Sequence, residues 1–249
     1  MTELLDATGE DRDAAVARAA ELLLAGELVV VPTDTVYGLA ANAFDLEATA
    51  ALLVAKGRDR AIPLPVLVRT PKQLAGIAAH VPAAADRLVA AFWPGPLTLV
   101  LHAQPRLTWD LGHTGGTLAV RMPFEEATLE VIRDVGPLAV TAANGPGGSL
   151  PCTIDEAREQ LGDAVAAYLD AGPRTTPTLS TIVDLTRSTA QVLREGAIPL
   201  ALALDVAEGR MDPLDAAASL LHVDEPPPDL DQPPPDRDEP ARDGDEQDK

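Results

Sequence analysis

The sequence predicts an α/β fold in which helices flank a twisted, mixed β-sheet. Segments with helical periodicity alternate along the chain with short apolar segments rich in β-branched residues, which is the pattern of α/β domains. The segment 29–31 is apolar throughout, as in a strand that is buried on both faces. The segments 97–102 and 117–121 alternate enough for one face to be exposed, which indicates that the sheet also contains antiparallel pairs.

Glycine, proline and capping residues delimit the individual elements. An Ala/Leu-rich helix over 13–26 ends at Gly26, and a helix over 45–58 begins at Asp45, whose carboxylate is a suitable N-cap. Four apolar residues share one face of that second helix: Leu46, Ala50, Leu53 and Val54. The other predicted helices cover 71–77, 82–91, 125–134 and 154–161. The predicted strands cover 27–32, 63–68, 96–102, 116–123, 137–143, 180–185 and 190–195.

Composition predicts one domain with two irregular ends. The chain has 249 residues and is 46% apolar, which is enough to bury a substantial core. Residues 1–11 are predicted to be frayed, and residues 12–223 to form the domain. The tail over 224–249 is rich in proline and aspartate and has no aromatic residue, so it is predicted to be disordered.

The net charge of −20 argues against stable nucleic-acid binding, because that affinity comes largely from Lys and Arg on phosphates. No stretch is long and apolar enough to span a membrane, so no membrane partner is expected. The N-terminus does not resemble a signal peptide, and the single cysteine, Cys152, cannot form an internal disulfide. These features together predict a cytoplasmic protein.

Several common catalytic motifs are absent from the sequence. It contains no GxxxxGK[ST] phosphate loop and no GxGxxG, HExxH, GxSxG or CxxC motif. The four histidines do not have metal-ligand spacing, so no protein metal site is predicted.

Polar residues instead gather where predicted strands and one helix end. Since side chains in a strand alternate with a period of two, 117 and 121 lie on the same face of their strand. Lys56 and Arg58 end the second helix, where a simpler explanation is that they offset the helix dipole. The strand-end residues are Thr33, Asp34, Thr35, Thr117, Arg121, Thr141, Asn144, Ser180 and Arg194.

Four of these positions are cationic in a strongly acidic chain: Lys56, Arg58, Arg121 and Arg194. Cations gathered at one end of a sheet predict an anionic small molecule, and a nucleoside triphosphate fits. A zwitterionic second substrate would also require an arginine, because a guanidinium can bind both oxygens of a carboxylate.

Six segments of the sequence form a recognisable set: "PTDTVYGLAANA", "AKGR…PL", "FWPGPLTLVL", "GTLAVRMP", "AVTAANGPGG" and "STIVD". With these segments the chain resembles the YrdC-type family of L-threonylcarbamoyladenylate synthases. The segments occur in the order of the family and span roughly residues 12–200, so the tail lies outside the resemblance.

The resemblance implies a twisted sheet around an open cavity and a specific reaction. ATP, L-threonine and bicarbonate would give threonylcarbamoyl-AMP and pyrophosphate, with Mg²⁺ accompanying the ATP. A separate tRNA threonylcarbamoyl transferase would be the downstream partner. Lys56 and Arg58 match the family's KxR pair and are the implied catalytic residues. The implied threonine-binding residues are Thr33, Thr35, Arg121 and Thr141. The implied nucleotide-binding residues are Arg58, Thr117, Asn144, Ser180 and Arg194.

The sequence departs from the family pattern at two places. The family's S-x-N triplet reads Ala142, Ala143 and Asn144 here, so one serine hydroxyl is missing. The loop after KGR, often P-x-x-N-P-L, reads DRAIPL at 59–64. Two alternatives therefore stay open: a divergent paralogue with altered or lost activity, and an RNA-binding module, which the acidic charge disfavours.

Overall fold

The computed structural model describes residues 2–175 and 177–221, and the sheet dominates it. Within these residues there are ten strands, and they form a single sheet. Their bounds are β1 (Glu3–Asp6), β2 (Val29–Val31), β3 (Gly38–Asn42), β4 (Val66–Leu67), β5 (Leu97–His102), β6 (Thr117–Arg121), β7 (Leu138–Ala142), β8 (Ala167–Asp170), β9 (Thr181–Asp184) and β10 (Gln191–Arg194).

The strand order is β1-β8-β2-β3-β7-β4-β6-β5-β9-β10, and the sheet is mixed, as predicted. Four pairs are parallel (β1 with β8, β2 with β8, β4 with β6, and β5 with β9) and the other five are antiparallel. Since β2 and β3 lie inside the sheet, the residues that connect them lie near its centre.

Helices cover both faces of the sheet. Their bounds are α1 (Arg12–Leu24), α2 (Leu46–Ala55), α3 (Leu74–Ile77), α4 (Ala83–Phe92), α5 (Glu126–Val135), α6 (Ile154–Leu161), α7 (Leu200–Ala207) and α8 (Pro213–Leu221). Helices α1 and α5 pack on one face, and α2, α4, α6, α7 and α8 contribute to the core on the other. Among the residues described, no helix combines the length and apolarity needed to cross a bilayer.

Strand β2 is buried on both faces, as its sequence predicts. Val29 and Val31 belong to the core under α1 and α5, whereas Val30 belongs to the core on the opposite face. The predicted N-cap of α2 and the glycine after α1 are also present, although α2 ends at Ala55 and not at residue 58. The Asp45 carboxylate accepts hydrogen bonds from Glu47 N at 2.9 Å and Ala48 N at 3.0 Å, and Gly26 follows α1 with a φ of 83°, which glycine adopts without strain.

The structure corrects several sequence predictions. Residues 3–6 are not frayed, because they form edge strand β1 beside β8. Strands β3 and β8 and helices α7 and α8 were not predicted. The buried face of α2 carries Ala48, Thr49, Leu52 and Leu53; Leu46, Ala50 and Val54 are exposed. That helix is apolar on every side, so periodicity alone cannot identify its inner face. The predicted tail, 224–249, and the predicted domain end at residue 223 lie outside the described residues.

Gly38 allows β3 to approach β7 closely beside the cavity described below. A Cβ at this position would lie 2.6 Å from Cγ1 of Val140, a distance that van der Waals contact forbids. We expect Gly38→Ala to lower the free energy of unfolding by about 1–3 kcal/mol through overpacking. Urea unfolding measures this loss, with Val140→Ala as the reference. The double variant should be more stable than the two single losses predict, and strictly additive losses would contradict the steric explanation.

Candidate active site

A cavity of about 340 Å³ opens at the ends of the central strands. Turns and loops that follow β2, α2 and β7 supply part of its wall. Residues of the strands β3, β4, β5, β6, β7, β9 and β10 also line it. Eight of the ten predicted site residues line it: Thr33, Thr35, Arg58, Arg121, Thr141, Asn144, Ser180 and Arg194.

The turn after β2 is held together by the hydroxyl of Thr33. This hydroxyl donates to the carbonyl of Val36 at 2.6 Å and accepts from the backbone N–H groups of Thr35 at 3.2 Å and Val36 at 3.3 Å. One proton and two lone pairs are all that a hydroxyl offers, so Thr33 serves mainly to shape the turn. This turn presents the hydroxyl of Thr35 to the cavity. The Thr35 hydroxyl lies 3.0 Å from the Thr33 hydroxyl.

Arg121 connects this turn to β6. Its guanidinium donates to Thr35 Oγ1 at 3.0 Å, to Asp34 Oδ1 at 2.6 Å and to the carbonyl of Gly95 at 2.9 Å. A guanidinium has five N–H groups, so two remain for a ligand. Burial lowers the pKa of Arg121, and the charge of Asp34 opposes that shift.

Arg194 is held in a similar way at the opposite side of the cavity. Its Nε and Nη2 donate to the carbonyl of Ser180 at 3.0 and 2.9 Å, and Nη2 also donates to the Ser180 hydroxyl at 3.1 Å. The Ser180 hydroxyl lies 2.8 Å from that of Thr98, a cavity residue that sequence reasoning missed. Both N–H groups on Nη1 of Arg194 remain for a ligand.

Arg58 is the cavity arginine whose guanidinium has the fewest hydrogen bonds to described residues. No described residue accepts a hydrogen bond from its guanidinium, which lies in the cavity wall and is partly exposed. The Thr141 hydroxyl is likewise without a hydrogen bond to the described part of the chain, although the residue is only 7% exposed. Both groups are therefore available to a bound molecule.

Lys56 does not line the cavity, although the sequence places it beside Arg58. Its ammonium group donates to the carbonyl of Ala142 at 2.8 Å, to Asn144 Oδ1 at 2.6 Å and to the carbonyl of Asn144. All three of its N–H groups are thus used to fix the loop after β7. The Nδ2 group of Asn144 donates one hydrogen bond, to Gly148 O at 2.7 Å. Its second N–H is free among the described residues.

Thr117 also lies outside the cavity wall. It is on the same side of β6 as Arg121, as predicted, but it starts the strand that Arg121 ends. Its hydroxyl donates to the carbonyl of Thr114 at 2.7 Å. Apolar wall residues that lie outside the motifs, such as Leu150 and Leu179, were missed by the sequence prediction.

The charges of the site select for an anion. Burial lowers the pKa of Arg194, and the neighbouring charges of Arg121 and Arg58 lower it further. Burial and the charge of Arg58 lower the pKa of Lys56 from 10.5 to about 8. The three arginines therefore repel one another across the cavity, and an anion bound between them would relieve the repulsion.

Carboxylates are scarce in this region. No Asp or Glu is among the cavity-lining residues. Asp34 lies behind the wall, where its Oδ1 accepts hydrogen bonds from Arg121 and from the backbone N–H of Phe124. Within residues 2–175 and 177–221, no three His, Cys, Asp or Glu side chains are grouped as metal ligands.

Comparison with known proteins agrees with this geometry. A family model for Sua5, YciO and YrdC proteins, described as telomere recombination, matches residues 21–196. The chain belongs to the Sua5/YciO/YrdC family. This confirms the resemblance that the motifs indicate.

Two relatives are informative about length and similarity. A protein of Mycobacterium tuberculosis H37Rv, provisionally named threonylcarbamoyl-AMP synthase, is 49% identical over 199 residues, which cover 80% of this chain and 92% of the relative. A Pyrococcus abyssi protein named threonylcarbamoyl-AMP synthase is 38% identical over 188 residues, which cover 73% of this chain and 54% of the relative.

Solved structures confirm the fold class. Pyrococcus abyssi Sua5 complexed with L-threonine superposes with a TM-score of 0.78 at 34% identity, covering 85% of this chain and 62% of that one. This chain thus spans less than two thirds of that Sua5 chain. Escherichia coli YciO superposes with a TM-score of 0.70 at 22% identity, covering 79% of this chain and 95% of that one, which supports the fold alone.

The depressed pKa of Lys56 gives a testable pH dependence. Because the folded-state pKa, about 8, lies below the ordinary value of 10.5, the unfolded chain holds this proton more tightly between those values. Stability should therefore rise with pH through this window, by about 1–2 kcal/mol between roughly pH 7.5 and 9.5. Urea unfolding of the wild type against Lys56→Met isolates this contribution.

A direct measurement is also possible because the sequence has only three lysines, at positions 56, 72 and 249. With ¹³Cε-labelled lysine, one resonance should titrate with a pKa well below the ordinary lysine value of 10.5, and it should disappear in Lys56→Met. A spectrum in which no resonance has a lowered pKa would contradict the predicted shift.

Proposed function

We propose that this chain is an L-threonylcarbamoyladenylate synthase, which forms threonylcarbamoyl-AMP and pyrophosphate from ATP, L-threonine and bicarbonate. The observation that carries the proposal is a cavity where Arg58, Arg121 and Arg194 all keep unused N–H groups. The names of the bacterial and archaeal relatives support the same activity.

The reaction proceeds in two bond-forming steps. The amine of threonine attacks carbon dioxide, with loss of a proton, or bicarbonate, with loss of water, and an N-carboxy-threonine forms. A carboxylate oxygen of that group then attacks the α-phosphorus of ATP, and pyrophosphate leaves. Neither step requires a histidine, so catalysis depends mainly on positioning and on charge stabilisation.

Each free group of the cavity has a role in this proposal. The two unused N–H groups of Arg121 bind the carboxylate of threonine, and Thr35 and Thr141 bind its polar atoms. Arg58, whose guanidinium has no partner among the described residues, stabilises the charge that develops on the phosphates and carbonate. Arg194 orients the nucleotide together with Ser180. Asn144 contributes one N–H, and Lys56 and Thr33 act by shaping the walls.

Mg²⁺ enters this proposal as part of the substrate. Magnesium in proteins is usually bound by carboxylates, water and substrate phosphates, and the cavity wall described above offers no carboxylate. The wall therefore does not form a magnesium site of its own, and the ion would arrive on the triphosphate of ATP.

The product is a reactive mixed anhydride, so the proposal also implies a partner that consumes it. We infer a tRNA threonylcarbamoyl transferase in the cytoplasm, with the tRNA bound by that partner. The strongly acidic charge of this chain disfavours tRNA binding by the synthase itself.

The decisive assay is pyrophosphate release in the presence of ATP and Mg²⁺. Release should require both L-threonine and bicarbonate. Arg58→Ala should lower turnover by about 10- to 100-fold, since it removes a charge-stabilising donor group. Arg60→Ala is a matched control, because Arg60 is two residues away but forms an exposed pair with Asp110. Equal release with glycine in place of threonine, or equal losses in the two variants, would contradict the proposal.

Ala142 is where this chain lacks the serine of the family motif, and it lines the cavity. We expect Ala142→Ser to change stability by less than about 0.5 kcal/mol, because the site is polar and open. One hydrogen bond to a charged group is worth about 1.5–3 kcal/mol, so turnover or ATP affinity should rise by a few-fold, up to about 150-fold.

Ala119→Ser is the control for this substitution, since Ala119 also lines the cavity but is not part of the motif. Steady-state kinetics would contradict the prediction if both variants behaved like the wild type. A wild type that is inactive and stays inactive as Ala142→Ser would instead favour the divergent-paralogue alternative.

A further inference from the structure

Arg174, which follows β8, is buried next to the cavity but does not line it. Its side chain is only 11% exposed. All five of its N–H groups are used. Nε donates to Gly172 O at 3.3 Å, Nη2 donates to the carbonyls of Ala171 and Gly172 at 2.6 and 3.0 Å, and Nη1 donates to Thr33 O at 3.2 Å and Glu125 Oε2 at 2.5 Å.

These acceptors belong to three separate segments of the chain. Thr33 begins the turn that presents Thr35 to the cavity, Glu125 directly precedes α5, and Ala171 and Gly172 follow β8. The backbone N–H of Arg174 adds a fourth segment, because it donates to the carbonyl of Cys152 at 2.7 Å, just before α6. One residue thus joins four segments around the cavity.

Tyr37 fixes the guanidinium from a further side. The centre of the guanidinium lies 5.4 Å from the centroid of the Tyr37 ring, within the range of a cation–π contact. The hydroxyl of Tyr37 lies 2.7 Å from Gly172 O and 3.0 Å from Asp170 Oδ1, so the ring is tied to the same turn as Arg174. Tyr37 is fully buried and leads directly into β3.

Arg174 differs from the cavity arginines in the number of its N–H groups that remain unused. Arg58, Arg121 and Arg194 keep unused donors that face the cavity, whereas Arg174 keeps none. A saturated guanidinium cannot bind a substrate, but it can fix the positions of its acceptors. Its effect reaches the cavity through Thr33, whose turn carries Asp34 and Thr35, two of the three hydrogen-bond partners of Arg121.

We propose that Arg174 is a positioning residue that sets the 33–36 turn, and through it Arg121, at the spacing that the amino-acid substrate requires. This inference rests on the proposed function and deepens it, because it assigns the residue to the threonine half of the site. Arg194 and Ser180, which we assign to the nucleotide, form no hydrogen bond with Arg174 in the described residues.

Arg174→Lys tests this role without removing the positive charge. Lysine has three N–H groups and no planar fork, so it cannot donate the five hydrogen bonds with which Arg174 holds these segments. Arg87→Lys is the matched control: Arg87 also donates to two backbone carbonyls, those of Val206 and Ala207, but it joins α4 to α7 away from the cavity.

Titration calorimetry should show that Arg174→Lys weakens L-threonine binding by about tenfold or more and changes ATP binding by less than about threefold. In steady-state kinetics the KM for threonine should rise while kcat at saturating threonine stays near the wild-type value. Arg87→Lys should change neither affinity. A purely structural role predicts a lower melting temperature with unchanged or equally weakened binding of both substrates, and that result would overturn the proposal.

Hydrogen exchange without ligands keeps the test independent of the proposed function. In Arg174→Lys, amides in residues 33–37, 125–129 and 152–154 should exchange faster than in the wild type, and amides near 205–209 should not. Faster exchange confined to 171–175, or spread evenly over the chain, would overturn the positioning role. A wild type that binds no threonine would refute the proposed function while this measurement still decides the role of Arg174.

Glu125→Gln is a second variant, for use if Arg174→Lys does not fold. It keeps the shape of the Arg174 contact but removes the charge of its carboxylate partner. Threonine binding should weaken in the same direction, by a smaller factor, with ATP binding unchanged. Threonine affinity equal to that of the wild type would count against the positioning role of Arg174.

Discussion

Three guanidinium groups share a cavity of about 340 Å³, and the surrounding protein has to offset their mutual repulsion. Arg121 is offset by the carboxylate of Asp34, and Arg194 by the carbonyl and hydroxyl oxygens of Ser180. Arg58 has no such partner in the described part of the chain. The polar turns at these strand ends are therefore shaped by charge as much as by packing, and the part of the charge that remains uncompensated is what would attract the polyanionic substrate of the proposed function.

The buried ion pair of Arg121 and Asp34 has a second effect on the site. Taking two charges out of water costs several kcal/mol per ion, and their attraction returns this only when the geometry is good and other hydrogen bonds are satisfied. The Oδ2 atom of Asp34 is buried without a hydrogen-bond partner among the described residues, whereas the Arg121 guanidinium also donates to Thr35 Oγ1 and to the carbonyl of Gly95. A guanidinium fixed in this way loses little freedom when a carboxylate arrives, so less binding energy is spent on ordering the site.

Much of this arrangement could be predicted from the sequence, and the exceptions have physical reasons. The β-branched run of β2 predicts its burial on both faces, whereas β3 reads GLAAN and carries no such signal. Thr117 and Arg121 do share a face of β6, but four residues along a strand span about 13 Å, so only the second reaches the cavity. The number of acceptors around Lys56 or Arg174 depends on loops that meet only in the folded chain, and no periodic pattern encodes that meeting.

The position of β8 has a consequence for how the chain is made. Residues 167–170 lie between β1 and β2 in the sheet and hydrogen-bond to both, so the N-terminal strands have no common neighbour until two thirds of the chain has been synthesised. A nascent chain leaves the ribosome from its N-terminus, and an unpaired strand edge is prone to associate with other chains. The sheet that builds the cavity is therefore completed late in translation, after β8 has emerged to pair with both strands.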